Sequence, residues 1–262
     1  MESLYDYGSR AGFWRLHRLF NRMKVPCTVF AVGMALERNP EVCRALKEMM
    51  EASDDDGAAA WEVASHGYRW IDYQNVDEET EREHIRRTVA IHEKLLGRRP
   101  VGMYQGKPNV NTRRLVVAEG GFKYDCDSYA DDLPYWTDVD GSDEPHLVVP
   151  YTLSENDMCF VRPANFPTGD DFGKYLKDNL RYAVEESRDG HPTMMSVGLH
   201  CRLSRPGRVA GLADFIQYAK TEFGDDVWIC TREQIADHWF MNHYPSKGDI
   251  EGKRPEKKAK TR

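Results

Sequence analysis

An α/β fold with a mostly parallel sheet, closing into an irregular (β/α) barrel, is what this 262-residue sequence predicts. Three observations carry that expectation. Short apolar runs alternate with segments of helical period, the pattern of strand-helix-strand units whose strands lie parallel. The runs are apolar at successive positions, as when helices cover one face of a strand and a packed interior the other. Two runs end on histidine, His66 and His200, and in such barrels the carboxyl ends of the strands converge on the face that carries chemistry.

The elements follow in order from those periodicities. The chain opens directly on a helical segment, Tyr5 to Leu16, which overlaps a stretch of helical period over 9–23. A barrel helix ordinarily follows a strand, so a barrel lacking its first strand is predicted, with an unpaired edge beside the gap. That reading expects the chain to be a fragment, a shortened product or a degenerate homologue, and to be poorly behaved unless an upstream strand is supplied. Strands are predicted at 27–33, 61–65, 101–104, 122–127, 147–151, 159–162, 193–199 and 227–231, from their apolar, β-branched and aromatic content. Helices are predicted at 40–52, 78–96, 111–119, 170–186, 207–223 and 232–239. Residues 53–60 read as a solvated loop insertion. Residues 130–168 read as an irregular stretch folded over the barrel mouth as substrate-covering loops. One hydrolytic-sized domain, 1–244, is followed by a tail, 245–262, whose basic composition predicts disorder; its cluster 253–262 matches either a solvated tail or a nuclear-localisation signal.

Composition excludes several classes. With 40% hydrophobic and 30% charged residues the chain reads as globular rather than disordered or membrane-spanning. A net charge of -7 argues against nucleic-acid binding by the fold. Asp6, Arg10, Arg15, Arg18, Arg22 and Lys24 interrupt any secretory leader, so a cytoplasmic location is expected. The six cysteines form no Cys-x-x-Cys pair and read as reduced, buried residues. The expected partner is a small-molecule substrate, with no nucleic acid and no membrane; homo-oligomer formation is left open.

An imidazole can be a general acid or base, a metal ligand or a satisfied core residue. His17, His84 and His92 read as lying on polar helix faces, and His238 and His243 lie near the carboxyl end. His66 and His200 remain as catalytic candidates, because each follows a strand-like run and has small or aromatic neighbours.

Several stretches share a family likeness: Val63-Ala-Ser-His-Gly-Tyr-Arg-Trp70 and the residues to Gln74, the Gly97-Arg-Arg-Pro100 turn, Pro108 to Arg114, Tyr124 to Trp136, Val149 to Leu153 with Asn156-Asp-Met158, and Ser196 to Leu203. Together they resemble the polysaccharide deacetylase (NodB homology) superfamily, and within it the allantoinase-type branch, which hydrolyses the hydantoin ring of allantoin. The likeness spans about residues 3 to 240. It implies that His66 matches the first histidine of a His-x-x-x-His metal motif and that His200 matches the general acid of a Leu-x-x-His motif. Arg99 and Pro100 match an Arg-x-Pro element, and Asp127 lies near the aspartate segment that orients the catalytic histidine. The second metal histidine is replaced by Trp70, which removes a ligand, so no metal cofactor is expected. The acidic pair of the superfamily's first motif lies upstream of Met1, and Asp6 is not its equivalent.

The resulting expectation is an allantoinase-like amidohydrolase acting on a non-peptide carbon-nitrogen bond of a small cyclic amide or ureide. Water attacks the ring carbonyl, His200 protonates the departing nitrogen, and His66 orients water or stabilises the oxyanion. Trp70, Arg99, Tyr104 and Arg202 are the expected substrate-binding residues, Arg202 as a fork for a ureido carbonyl. The rivals are a metal-dependent deacetylase of chitin or peptidoglycan and a non-catalytic homologue.

Overall fold

Phe13, Leu16, Leu19 and Phe20 recur at helical spacing and form the buried face of α2 (Phe13–Met23) in the computed structural model, which describes residues 3–52, 61–162 and 166–246. A short helix α1 (Ser3–Tyr7) runs into α2 through a π-helical turn, Gly8–Gly12. A Cβ on Gly12 would stand 1.7 Å from the Cys201 carbonyl oxygen, so only glycine permits this approach. The turn thereby seats the amino-terminal segment against residues 201–203.

The sheet is built from β1 (Thr28–Ala31), β2 (Glu62–Ser65), β3 (Gly102–Met103), β4 (Tyr124–Asp125), β5 (Tyr135–Thr137) and β6 (His146–Val148). Its order is β1-β2-β3-β4-β6-β5, parallel throughout except for the antiparallel β5–β6 pair. Between the strands lie α3 (Gly33–Arg38), α4 (Pro40–Glu51), α5 (Glu78–Leu96) and α6 (Thr112–Glu119); α7 (Gly169–Arg188), α8 (Pro206–Glu222) and α9 (Arg232–Asn242) follow. Local chemistry sets several ends. Asp77 caps α5 by accepting the Thr80 N–H, and Gly97 ends the helix at φ +76°. Thr168 with Asp171, and Thr231 with Gln234, form reciprocal capping boxes at α7 and α9. The helices pack a core of Leu46, Val63, Leu176, Leu212 and Phe215 against one side of the sheet. Tyr124, Cys126, Leu147 and Val149 fill the other with Ala236. The fold is therefore mixed α/β with a parallel-dominated sheet, and no helix among the described residues is long and apolar enough to cross a membrane.

Three predicted strands are not strands. Residues 193–199 and 227–231 are extended but form no ladder, apart from a single bridge between Asn156 and Gly198. Apolar β-branched residues make an extended run, whereas a strand also needs a neighbouring backbone to pair with. Residues 159–162 belong partly to a 3-10 turn, Asp157–Phe160, begun by the Asn156 side chain accepting the Met158 N–H. The 130–168 stretch contains β5, β6 and that turn, and among its described residues Asp157 bonds His200 and Tyr151 stacks on Tyr104. The predicted loop at 53–60 and nearly all of the predicted tail lie outside the described residues.

Among the described residues β1 is paired on one side only. The open seam beside it is bridged by a side chain. Arg232, buried in the interior, donates to the carbonyls of Val149 at 2.9 Å and Pro150 at 3.0 Å and to Ser196 Oγ at 2.5 Å, while its backbone N–H donates to Thr28 Oγ1 at 2.8 Å. One guanidinium thus links the end of β6 to the extended 196 segment, and its backbone holds β1.

Candidate active site

Because β2 and β3 pair at Ser65 and Met103, the next residue of each, His66 and Tyr104, emerges at the same end of the sheet. Their rings stack with centroids 5.2 Å apart and planes within 6°. Tyr151 stacks on the far side of Tyr104 at 4.7 Å and 4°, its hydroxyl accepting from Asn156 at 2.9 Å. A Cβ on Gly198 would meet the Tyr151 hydroxyl at 2.2 Å, so glycine there makes room for the stack.

His66 Nδ1 faces the Tyr104 carbonyl oxygen. An oxygen that can only accept fixes the proton on Nδ1 and leaves the Nε2 lone pair free. Burial, with smaller pushes from the nearby His200 and Arg202, lowers the His66 pKa to about 4. The ring is therefore neutral near pH 7. Its NMR signals are expected to stay fixed between about pH 5 and 8, where an ordinary imidazole titrates near 6.5; a midpoint near 6.5 would mean that the ring is solvated rather than packed.

His200 is held differently. Its Nδ1 lies 2.7 Å from Asp157 Oδ1, and its backbone N–H donates to Asp157 Oδ2 at 2.8 Å. The carboxylate is buried and accepts both bonds, which fixes the ring's orientation and tautomer. Asp157 is itself placed by the bridge that sends its N–H to the Gly198 carbonyl at 2.9 Å. Asp157 lies in the Asn156-Asp-Met158 motif, whereas the family resemblance points to the segment near Asp127 for the orienting role. The structure corrects this. Asp127 accepts the backbone N–H groups of Gln105 and Gly106, both at 2.7 Å. Burial and the neighbouring Asp125 raise its pKa to about 7 despite those bonds. Asp127 shapes the turn after Tyr104 and does not hydrogen-bond His200.

Trp70 and Arg202 meet as the sequence reading expects of residues in one pocket. Arg202 Cζ lies 4.7 Å from the Trp70 ring, which is 46% exposed. Tyr5, which no sequence pattern singled out, adds a second ring 5.5 Å from the same atom. Arg99 does not join them. It precedes β3, at the opposite end of the sheet from Tyr104, and donates to the Gly120 carbonyl at 2.6 Å, packing on Gly121. Its place is structural, and its match to a sequence element said nothing about which end of the strand it occupied.

Among the described residues no group of three or more His, Cys, Asp or Glu is arranged to hold an ion, and the Trp70 ring carries a guanidinium.

Comparison with known proteins gives this geometry its family. The polysaccharide deacetylase family model matches residues 2–121. A Schizosaccharomyces pombe protein named for the same family is 41% identical over 258 residues, covering 93% of this chain and 77% of its own. A Pseudomonas aeruginosa PAO1 crystal structure, also named for that family, shares 52% identity at a TM-score of 0.84, covering 94% of this chain and 78% of its own. The crystal structure of PuuE allantoinase shares 49% at a TM-score of 0.84, with the same coverages. Identity of this extent, over nearly the whole chain and on the same fold, means that the chain belongs to the polysaccharide deacetylase family of hydrolases.

Proposed function

We propose that this chain hydrolyses a carbon-nitrogen bond in a small cyclic amide or ureide, as an allantoinase does. The observation that carries the reading is the Trp70–Arg202 pair, which stands where the family likeness calls for a metal-binding histidine and lies beside the buried Asp157–His200 pair. A flat indole, a flat stack of His66, Tyr104 and Tyr151, and a planar guanidinium suit a small planar heterocycle better than a pyranose chain. The likeness to PuuE allantoinase, at 49% identity, supports the same substrate class.

In this mechanism the free Nε2 of His66 accepts an O–H of the attacking water and orients it; a neutral ring presenting a lone pair there does not stabilise an oxyanion. The water oxygen bonds to the ring carbonyl carbon as one of its protons passes to His66 Nε2 and from there to solvent, the other staying on the new carboxylic acid. His200, oriented by Asp157, gives a proton to the ring nitrogen as the carbon-nitrogen bond breaks and recovers one from solvent. Arg202 faces the developing negative charge on oxygen. The product is an open-chain acid.

A panel of allantoin, hydantoins, cyclic imides and acetylated sugar oligomers tests this. Ring opening of a cyclic ureide is expected; release of acetate from the oligomers with no ring opening would replace the reading with the deacetylase one. Turnover is also expected to survive dialysis against a chelator. Chelator-sensitive turnover restored by stoichiometric zinc would show that this site uses a metal after all.

A further inference from the structure

Arg202 is charged, and no acidic residue among the described residues forms an ion pair with it. The Trp70 and Tyr5 rings cover its guanidinium plane, an arrangement that holds the group by cation–π contact and leaves its N–H edge for a planar acceptor. Its one hydrogen bond among the described residues runs from Nη2 to Met158 Sδ at 3.2 Å, a weak acceptor. Arg205, whose Cζ lies 3.4 Å from the Tyr7 ring centroid, also has no acidic partner among the described residues. In a chain of net charge -7, these two arginines follow His200 closely in the sequence and form no ion pair with a described carboxylate, whereas Arg82, Arg86 and Arg188 do.

The chemistry proposed above creates a charge in that place. Water adds its hydroxyl to the ring carbonyl carbon, the nitrogen takes a proton, and the resulting carboxylic acid ionises near pH 7 by releasing a proton to solvent. A neutral ring becomes a carboxylate, at the carbon nearest His66 and His200. We infer that Arg202 is the carboxylate site of the ring-opened product, so that this chain binds a ureido acid more tightly than the neutral ring from which it forms. The inference rests on the cyclic-ureide reading. It also sets the reaction's place in a sequence: a following reaction must consume the ureido acid, or the product occupies the site and slows turnover.

Binding to the full chain, measured by calorimetry, tests this with hydantoin, N-carbamoylglycine and N-acetylglycine as probes. The wild type is expected to bind N-carbamoylglycine at least about tenfold more tightly than hydantoin, as charge-assisted hydrogen bonds imply. Added KCl should weaken only the acid. Arg202→Gln should cost the acid about tenfold more affinity than it costs hydantoin, and Arg202→Lys, which keeps the charge but loses the fork, should fall between. Equal wild-type affinities, or an acid affinity unchanged in Arg202→Gln, would overturn the inference while hydantoin binding upholds the ureide reading. Arg202-dependent binding of N-acetylglycine, with neither hydantoin nor N-carbamoylglycine bound, would uphold the carboxylate site and overturn the ureide reading. If either variant fails to fold, the salt dependence of the wild type decides alone: acid binding indifferent to KCl counts against the site.

Discussion

Replacing His200 by alanine lowers kcat by about 100- to 10,000-fold, the range that a positioned general acid contributes, while Tm falls by no more than about 5 °C, since a partly exposed ring outside the apolar clusters adds little to a core. The companion variant is more informative. In Asp157→Asn one of the two oxygens becomes an NH2, yet Asp157 accepts from both the His200 backbone N–H and the His200 ring. The amide satisfies one of them only. If its oxygen stays on the backbone, its NH2 faces Nδ1 and cannot accept the Nδ1–H, so the ring loses the partner that keeps Nδ1 protonated while its other nitrogen gives up a proton. A kcat loss close to that of His200→Ala, with KM nearly unchanged, is the expected result. Wild-type kcat in His200→Ala would remove this histidine from the mechanism, and wild-type kcat in Asp157→Asn would show that the pair is only structural.

Arg232→Met carries the largest expected effect on stability, about 3–5 kcal/mol. The methionine fills much of the volume but leaves the Val149 and Pro150 carbonyls and the Ser196 hydroxyl without their donor, and each buried orphan costs about 1–3 kcal/mol. For a domain of this size that is a fall in Tm of roughly 10 °C, a large share of a total stability of about 5–15 kcal/mol. The loss should appear in kcat too, because the carbonyls that Arg232 holds lead directly into Tyr151. A Tm within about 2 °C of wild type would mean that water satisfies these groups and that the seam does not depend on the guanidinium.

Much of the helical layer was legible in the sequence. α4, α5, α6, α7 and α8 fall within a residue or two of the predicted spans, because a helix satisfies its own backbone and its apolar spacing is a local property. α3 escaped, since its six residues continue an apolar run that also fits a strand. The strands split according to whether a partner exists. Residues 61–65 became β2 because β1 and β3 lie on either side; residues 193–199 and 227–231, just as apolar, found no ladder.

The site divides along the same line. The sequence by itself determined that His66 and His200 are the histidines of interest, that Trp70 stands where a ligand histidine would, and that Arg202 belongs with them, because these statements depend on residue identity and on position relative to a local run. Only the tertiary structure decided that Asp157 and not Asp127 holds His200, that Arg99 lies at the far end of β3, that Tyr5 covers Arg202, and that Arg232 spans the seam. Each of those contacts joins residues far apart in the chain, from 21 positions between Arg99 and Gly120 to 204 between Thr28 and Arg232. A hydrogen bond is chosen by where the folded backbone delivers its donor and acceptor, and composition and periodicity hold no information about that meeting point.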